Sequence, residues 1–176
     1  MASMKKLVLL MILLAVVFFT AGCIDNNWGN STSSELSQGI STPVKITQLE
    51  QINTSLEKGP IFMRMGSKWC PDCRSMKPIL EKLAVEYQGN ATIAYMDVDQ
   101  NPELAEYFGA KTIPDSFVIV DIENGTYVYM QKNGKISTDR NQARIIGLSG
   151  DSEDDENVFE RVLNFALLQQ GNNISQ

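Results

Sequence analysis

Histidine is absent from the chain, and cysteine occurs only at Cys23, Cys70 and Cys73. The first absence removes every mechanism that runs on imidazole, from Ser-His and Cys-His nucleophile pairs to histidine-bound metals and histidine pH switches. The second leaves too few sulfurs for a fold stapled by several disulfides. Basic residues are also scarce, 15 against 21 acidic for a formal net charge of −6. That balance argues against nucleic acid as a partner and against a polybasic membrane patch. The long apolar run, Leu7 to Ala21, falls short of the about 20 residues that a membrane-spanning helix needs.

What is present suffices for one globular domain: 176 residues, 43% of them apolar. Met1 to Lys6 is short and basic, Leu7 to Ala21 carries no charge, and Thr20-Ala21-Gly22-Cys23 closes the segment with small residues ahead of a cysteine. This is the pattern of a cleaved export signal. Residues 1–22 resemble the signal of an envelope lipoprotein, which makes Cys23 the lipidated first residue of the mature chain. Phe19 or Thr20 stands at the first lipobox position, where leucine is commoner. An ordinary secretory signal or an uncleaved anchor is the alternative, and each puts the domain outside the cytoplasm. The resemblance implies the extracytoplasmic face of the cell membrane, reached through a lipid anchor. Residues 23–43, rich in Asn, Ser, Gly and Gln, then form a flexible tether to a domain over 44–170, with a frayed C-terminus over 171–176. Glycosylation sequons begin at Asn30, Asn53, Asn90, Asn124 and Asn173.

Periodicity within the domain predicts a short strand at Val44 to Thr47, a helix from Leu49 to Lys58 and a buried strand at Ile61 to Met65. A helix follows from Pro71 towards Gly89, kinked at Pro78, and then a strand over Ala91 to Val98. A short helix to Tyr107, an apolar strand at Phe117 to Val120 and a hairpin through Tyr127 to Met130 come next. Residues 135–142 read as a loop, Arg144 to Gly147 as a last short strand, and the stretch from Ser152 as a helix capped by Ser152 and Asp155. Helices between the early strands favour parallel crossovers, and Gly-marked turns between the late ones favour antiparallel pairing. The class is α/β, a mixed sheet of four to five strands with helices on both faces.

The chemistry concentrates at Ser67-Lys68-Trp69-Cys70-Pro71-Asp72-Cys73-Arg74. Two cysteines three apart at a helix start can close a disulfide reversibly, and Pro71 suits the first helical position because its missing N–H would have no partner there. Outside the cytoplasm the same pair can also be a structural disulfide. A zinc site would need two more ligands, with no histidine to supply them, and neither a metal nor a cofactor is expected.

Gly59-Pro60-Ile61, Trp69-Cys70-Pro71-Asp72-Cys73, Pro78-Ile79-Leu80, Asp97-Val98-Asp99 and Thr112-Ile113-Pro114 together resemble the thioredoxin family over about Val44 to Leu168. The resemblance implies a three-layer sandwich in which Cys70 is the nucleophile, Cys73 the resolving cysteine and Trp69 a flanking apolar platform. It implies a cis Ile113-Pro114 bond against the dithiol, with Asp115 and Ser116 placed to contact substrate. Two positions depart from the family: Arg64 stands where a buried acid often assists proton transfer to Cys73, and Tyr95 where a lysine often accompanies it. Arginine stays protonated and cannot be that base. Either Glu81, Asp97 or water moves the proton, or Arg64 points to the surface. Asp72 opposes a Cys70 thiolate while Lys68 and Arg74 favour one, so the net sign stays open.

The expected activity is reduction or isomerisation of protein disulfides by a monomeric domain that receives electrons from a membrane or soluble donor. The competing reading is a redox-inactive binding or chaperone-like protein that keeps the disulfide for stability. The anchor is tested by Cys23→Ser: the chain should leave the membrane fraction and fail to incorporate labelled fatty acid, whereas unchanged labelling would remove Cys23 from the assignment.

Overall fold

Ile61-Phe62-Met63-Arg64-Met65-Gly66 carries apolar side chains at both parities, so a strand made from it requires cover on both faces. The computed structural model, which describes residues 41–147 and 152–174, is built around this strand, and all six residues are buried. The elements run β1 (Val44–Lys45), α1 (Leu49–Leu56), β2 (Ile61–Gly66), α2 (Pro71–Ser75), α3 (Lys77–Glu86), β3 (Thr92–Asp97), α4 (Pro102–Tyr107), β4 (Asp115–Glu123), β5 (Thr126–Met130), β6 (Ile136–Ser137), β7 (Ile145–Ile146) and α5 (Ser152–Ile174).

The sheet order is β1-β3-β2-β4-β5-β6, with β7 beside β4. β1 and β2 lie parallel to β3, and every pairing of β4, β5, β6 and β7 is antiparallel. The switch follows from the connections. Helices carry the chain back between the early strands, whereas Asn124 (φ 51°) and Gly125 (φ 77°) supply the two left-handed residues of a tight hairpin between β4 and β5. The four longer strands form the centre; β1, β6 and β7 contribute two residues each and bring the sheet to seven.

Alternation along β2 divides the core. Ile61, Met63 and Met65 pack with Ile52 of α1, Phe108 and Phe117, while Phe62 packs with Leu80 and Leu83 of α3 and with Phe159 and Val162 of α5. Phe62 and Phe159 meet edge to face with ring centroids 4.9 Å apart. Replacing a buried ring such as this by alanine costs about 3–5 kcal/mol. Ion pairing of Lys82 with Glu156 and a 3.1 Å hydrogen bond from Tyr87 Oη to Asn164 Oδ1 join α3 to α5 outside that core.

Several boundaries differ from the sequence expectation, each for a local reason. The helix after Cys73 is divided at Met76, two residues before Pro78, which occupies the first turn of α3, where its missing N–H leaves Arg74 O without the usual partner. Residues 135–142 are not a plain loop. The turn at Asn133-Gly134 folds Ile136 and Ser137 back onto Met130 and Tyr129, and Asp139 caps a 3-10 turn over Arg140–Gln142 by accepting from Asn141 N at 3.0 Å. Helix α5 runs to Ile174, through Gly171, which costs only about 1 kcal/mol in a helix interior. Residues 148–151 and the Ser152 side chain lie outside the described set, and the expected cap lies there with them. Among the described residues, no helix is long and apolar enough to cross a membrane.

Asp115, fully buried at the start of β4, ties the late segment to the sheet. Its Oδ2 accepts from Arg140 Nη1 at 3.1 Å, Arg144 Nε at 3.0 Å and Arg144 Nη2 at 2.7 Å. Asp115→Ala leaves two shielded guanidinium groups without their carboxylate and is expected to lower unfolding stability by about 3 kcal/mol, read from urea midpoints. A change below about 0.5 kcal/mol would mean that the cluster behaves as a surface pair.

Candidate active site

Strand β2 ends at Gly66, and Ser67-Lys68-Trp69 turns the chain into α2. Cys70 caps that helix with extended backbone (φ −72°, ψ 117°), and Pro71 occupies the first helical position. Because proline carries no N–H, the donors left at the helix start lie further on, and Cys73 N donates to Cys70 Sγ at 3.2 Å. The two cysteines form a disulfide with Cα atoms 5.2 Å apart, inside the usual span. Joined in this way both are buried, Cys70 at 4% exposure and Cys73 at 1%. The expected asymmetry is present, but Cys70 is far less open than a helix-end position implied, because its sulfur turns inward to Cys73.

Trp69 beside it is 67% exposed, a large apolar surface held out at the rim of the dithiol. Its Nε1–H donates to Asp99 Oδ2 at 2.9 Å, and Ser67 Oγ donates to the same oxygen. Asp99 N in turn donates to Asp97 Oδ1 at 3.1 Å. Asp99 therefore fixes the indole. In the sequence Asp97-Val98-Asp99 carries only the family resemblance; the signal for a role lies in the parallel register, where Gly66 stands beside Asp97 and the next residues of both strands run out together. Arg74 has a different task from the expected charge offset. Its Nη1 donates to the carbonyls of Lys68 and Trp69 at 3.0 Å each, which pins the turn. Lys68, Pro71 and Asp72 are exposed.

The Ile113-Pro114 bond is cis. Since Asp115 pairs with Met65, the β2–β4 register carries Pro114 to the same end of the sheet as Gly66 and the cysteine loop. Pro114 is buried, Ile113 half-buried, and Pro114 O accepts from Gly147 N at 2.8 Å. The side chains of Asp115 and Ser116 are buried too, at 0% and 1% exposure, so that any contact they make with a client is through backbone. Tyr127, Tyr129 and Met130 are core: Tyr129 meets Phe117 edge to face at 5.7 Å and Tyr127 stacks near Phe108.

Arg64 does not point to the surface. It is 9% exposed, its Nε has no hydrogen-bond partner among the described residues, and burial pushes its guanidinium pKa down, opposed by the nearby Tyr95 and Asp97. Arg64, Cys73, Tyr95, Asp97 and Glu81 line one cavity of about 360 Å³. Of the two carboxylates considered as proton carriers, Glu81 is exposed and pairs with Lys77 at 3.5 Å, while Asp97 is buried at 7% exposure. Among the described residues, no group of three or more His, Cys, Asp or Glu side chains gathers to hold a metal ion.

Asp99→Ala releases both Ser67 and the Trp69 indole. Loss of a hydrogen bond to a charged group is worth about 1.5 kcal/mol, so the melting temperature should fall by a few degrees, and a barrier raised by the same amount lowers dithiol-dependent turnover about tenfold. Turnover equal to the parent's would show that the indole needs no anchor.

Comparison with known proteins agrees with this geometry. The family model described as Thioredoxin matches residues 43–144. The thioredoxin of Staphylococcus aureus is 35% identical over 78 residues, covering 44% of this chain and 74% of that one. The crystal structure of thioredoxin from Trypanosoma brucei brucei has a similar fold, with a TM-score of 0.50 at 16% identity over 74% of this chain and 98% of that one. With a paired Cys70 and Cys73 at the head of a helix and a cis proline at the same end of a mixed sheet, the chain belongs to the thioredoxin family of thiol–disulfide oxidoreductases.

Proposed function

We propose that this protein is a membrane-tethered, extracytoplasmic oxidoreductase that reduces or isomerises disulfides in client proteins. The observation that carries the reading is the Cys70 sulfur, which caps a helix, accepts the Cys73 N–H and lies next to an exposed Trp69. A backbone N–H aimed at sulfur stabilises the thiolate over the thiol, and the thiolate is the attacking species.

In the reductive direction the Cys70 thiolate attacks one sulfur of a client disulfide. The client S–S bond breaks, its second sulfur leaves as a thiolate, and Cys70 is joined to the client. The Cys73 thiolate then attacks Cys70 Sγ; the mixed disulfide breaks, the client's remaining sulfur leaves, and Cys70–Cys73 closes. The client gains two electrons and the dithiol loses two, which an electron donor, membrane-bound or soluble, restores. The N-terminal segment supports the location: export followed by lipid attachment at Cys23 would hold the domain beside such a donor. Trp69 supplies apolar surface for the client chain near its disulfide.

The test is insulin disulfide reduction by the purified protein with a chemical reductant. Cys70→Ser should abolish turnover, and Cys73→Ser should accumulate a mixed disulfide visible as a reductant-sensitive adduct. Turnover that survives Cys70→Ser would overturn the assigned nucleophile. Partner binding that persists without either cysteine, in a protein with no reductase activity, would instead identify a scaffold with a structural disulfide.

A further inference from the structure

Strand alternation puts Arg64 and Gly66 of β2 on the face that α3 covers, together with Tyr95 and Asp97 of β3. A Cβ added to Gly66 would collide with Arg64 Nη1 and lie 2.9 Å from Cys73 Sγ. The guanidinium and the resolving sulfur thus both approach the volume that a side chain at residue 66 would fill, which places them within about 5 Å of each other. Arg64 has no salt bridge within 4 Å among the described residues and its Nε has no hydrogen-bond partner there, so Asp97 acts on it only from a distance, an expensive arrangement for a buried cation. In the disulfide form the sulfur beside it is neutral.

We infer that Arg64 is a positioning residue whose close-range counter-charge is the Cys73 thiolate, formed when the dithiol is reduced. This inference rests on the proposed exchange activity. The resolving step needs Cys73 as a thiolate, and a neighbouring cation stabilises that form directly, with the proton released to solvent instead of handed to a carboxylate. Arginine suits the task because it keeps its charge throughout. The cycle balances: the Cys73 S–H bond is lost to solvent as a proton, its sulfur lone pair forms the Cys70–Cys73 bond, and the departing client sulfur keeps the electron pair of the broken S–S bond and takes up a proton.

The other charges around Cys73 do not cancel this effect. From α3, Lys77 and Glu81 neutralise one another. From α2 and the preceding turn, Arg74 is engaged with two carbonyls, and Lys68 and Asp72 are solvated and of opposite sign. From β3, Asp97 opposes a thiolate, but it faces the Arg64 guanidinium as well and accepts from Asp99 N at 3.1 Å, and the Tyr95 side chain lines the same cavity. Among the described residues, Arg64 is the one buried cation lining the cavity at Cys73. A second consequence is thermodynamic: stabilising the thiolate stabilises the reduced protein, so Arg64 makes the disulfide more oxidising than a neutral residue at position 64 would.

The experiment uses the full chain carrying Cys23→Ser and Cys70→Ser, in which Cys73 is the only thiol, with ultraviolet thiolate absorbance followed against pH. Arg64→Met should lower the Cys73 acid dissociation constant about tenfold or more, and Arg64→Lys should restore most of it. In the chain carrying only Cys23→Ser, the equilibrium constant with glutathione should move at least about tenfold towards the protein disulfide on Arg64→Met. Arg64→Gln, neutral and polar, repeats both measurements if methionine prevents folding. Cys73 acidity that is unchanged or greater in the neutral variants overturns the inference. Failure of the parent to reduce insulin, with Cys73 acidity still governed by residue 64, would instead overturn the proposed activity and leave the role of Arg64 standing.

Discussion

Register between β2 and its two neighbours decides which side chains can meet at the dithiol. Gly66 lies beside Asp97 on the parallel side, and Met65 lies beside Asp115 on the antiparallel side. From the first pairing come the Asp97 and Asp99 contacts that steady the cysteine turn; from the second comes the approach of the cis proline to the same sheet end. A slip of one residue in either ladder would turn Arg64 away from the cysteines and a core methionine towards them. The apolar cover on both faces makes that slip costly, since it would exchange Phe62 with Ile61 and Met63 between two differently shaped cores.

The late part of the chain serves the same end. Asp115 gathers Arg140 and Arg144, and Arg140 also donates to Gly109 O at 3.1 Å and lies 4.9 Å from the Phe117 ring centroid. The segment beyond β5 is thereby fastened to the residues on both sides of the cis bond. The added hairpin and 3-10 turn act as a brace behind the active site, and their aromatic residues contribute core instead of a docking face.

Much of this was legible in the sequence. The Cys70-Pro71-Asp72-Cys73 spacing, the helix it begins, the proline that precedes β4 and the parallel-to-antiparallel change all follow from local patterns whose physical causes act over a few residues. The charged interior was not. Arg64 in an apolar strand reads equally as an outward-facing residue or a buried one, and only the pairing of three strands settles which. Asp99 and Asp115 sit in polar stretches that look solvated, and their importance depends on partners about thirty residues away. The division of the helix at Met76 lay beyond the sequence pattern too, since a proline inside an apolar run does not show where the helical ladder opens.

Gly66 leaves open a volume that the Arg64 guanidinium and Cys73 Sγ both approach. It also links the freedom of three positions to change. An alanine at 66 would need the side chain at 64 to shorten or the sulfur at 73 to withdraw, so these sites form one shared volume in which substitutions are solved jointly. A relative with a larger residue at the position of Gly66 must therefore carry a smaller or differently directed side chain at that of Arg64, and with it a different electrostatic setting for the same dithiol.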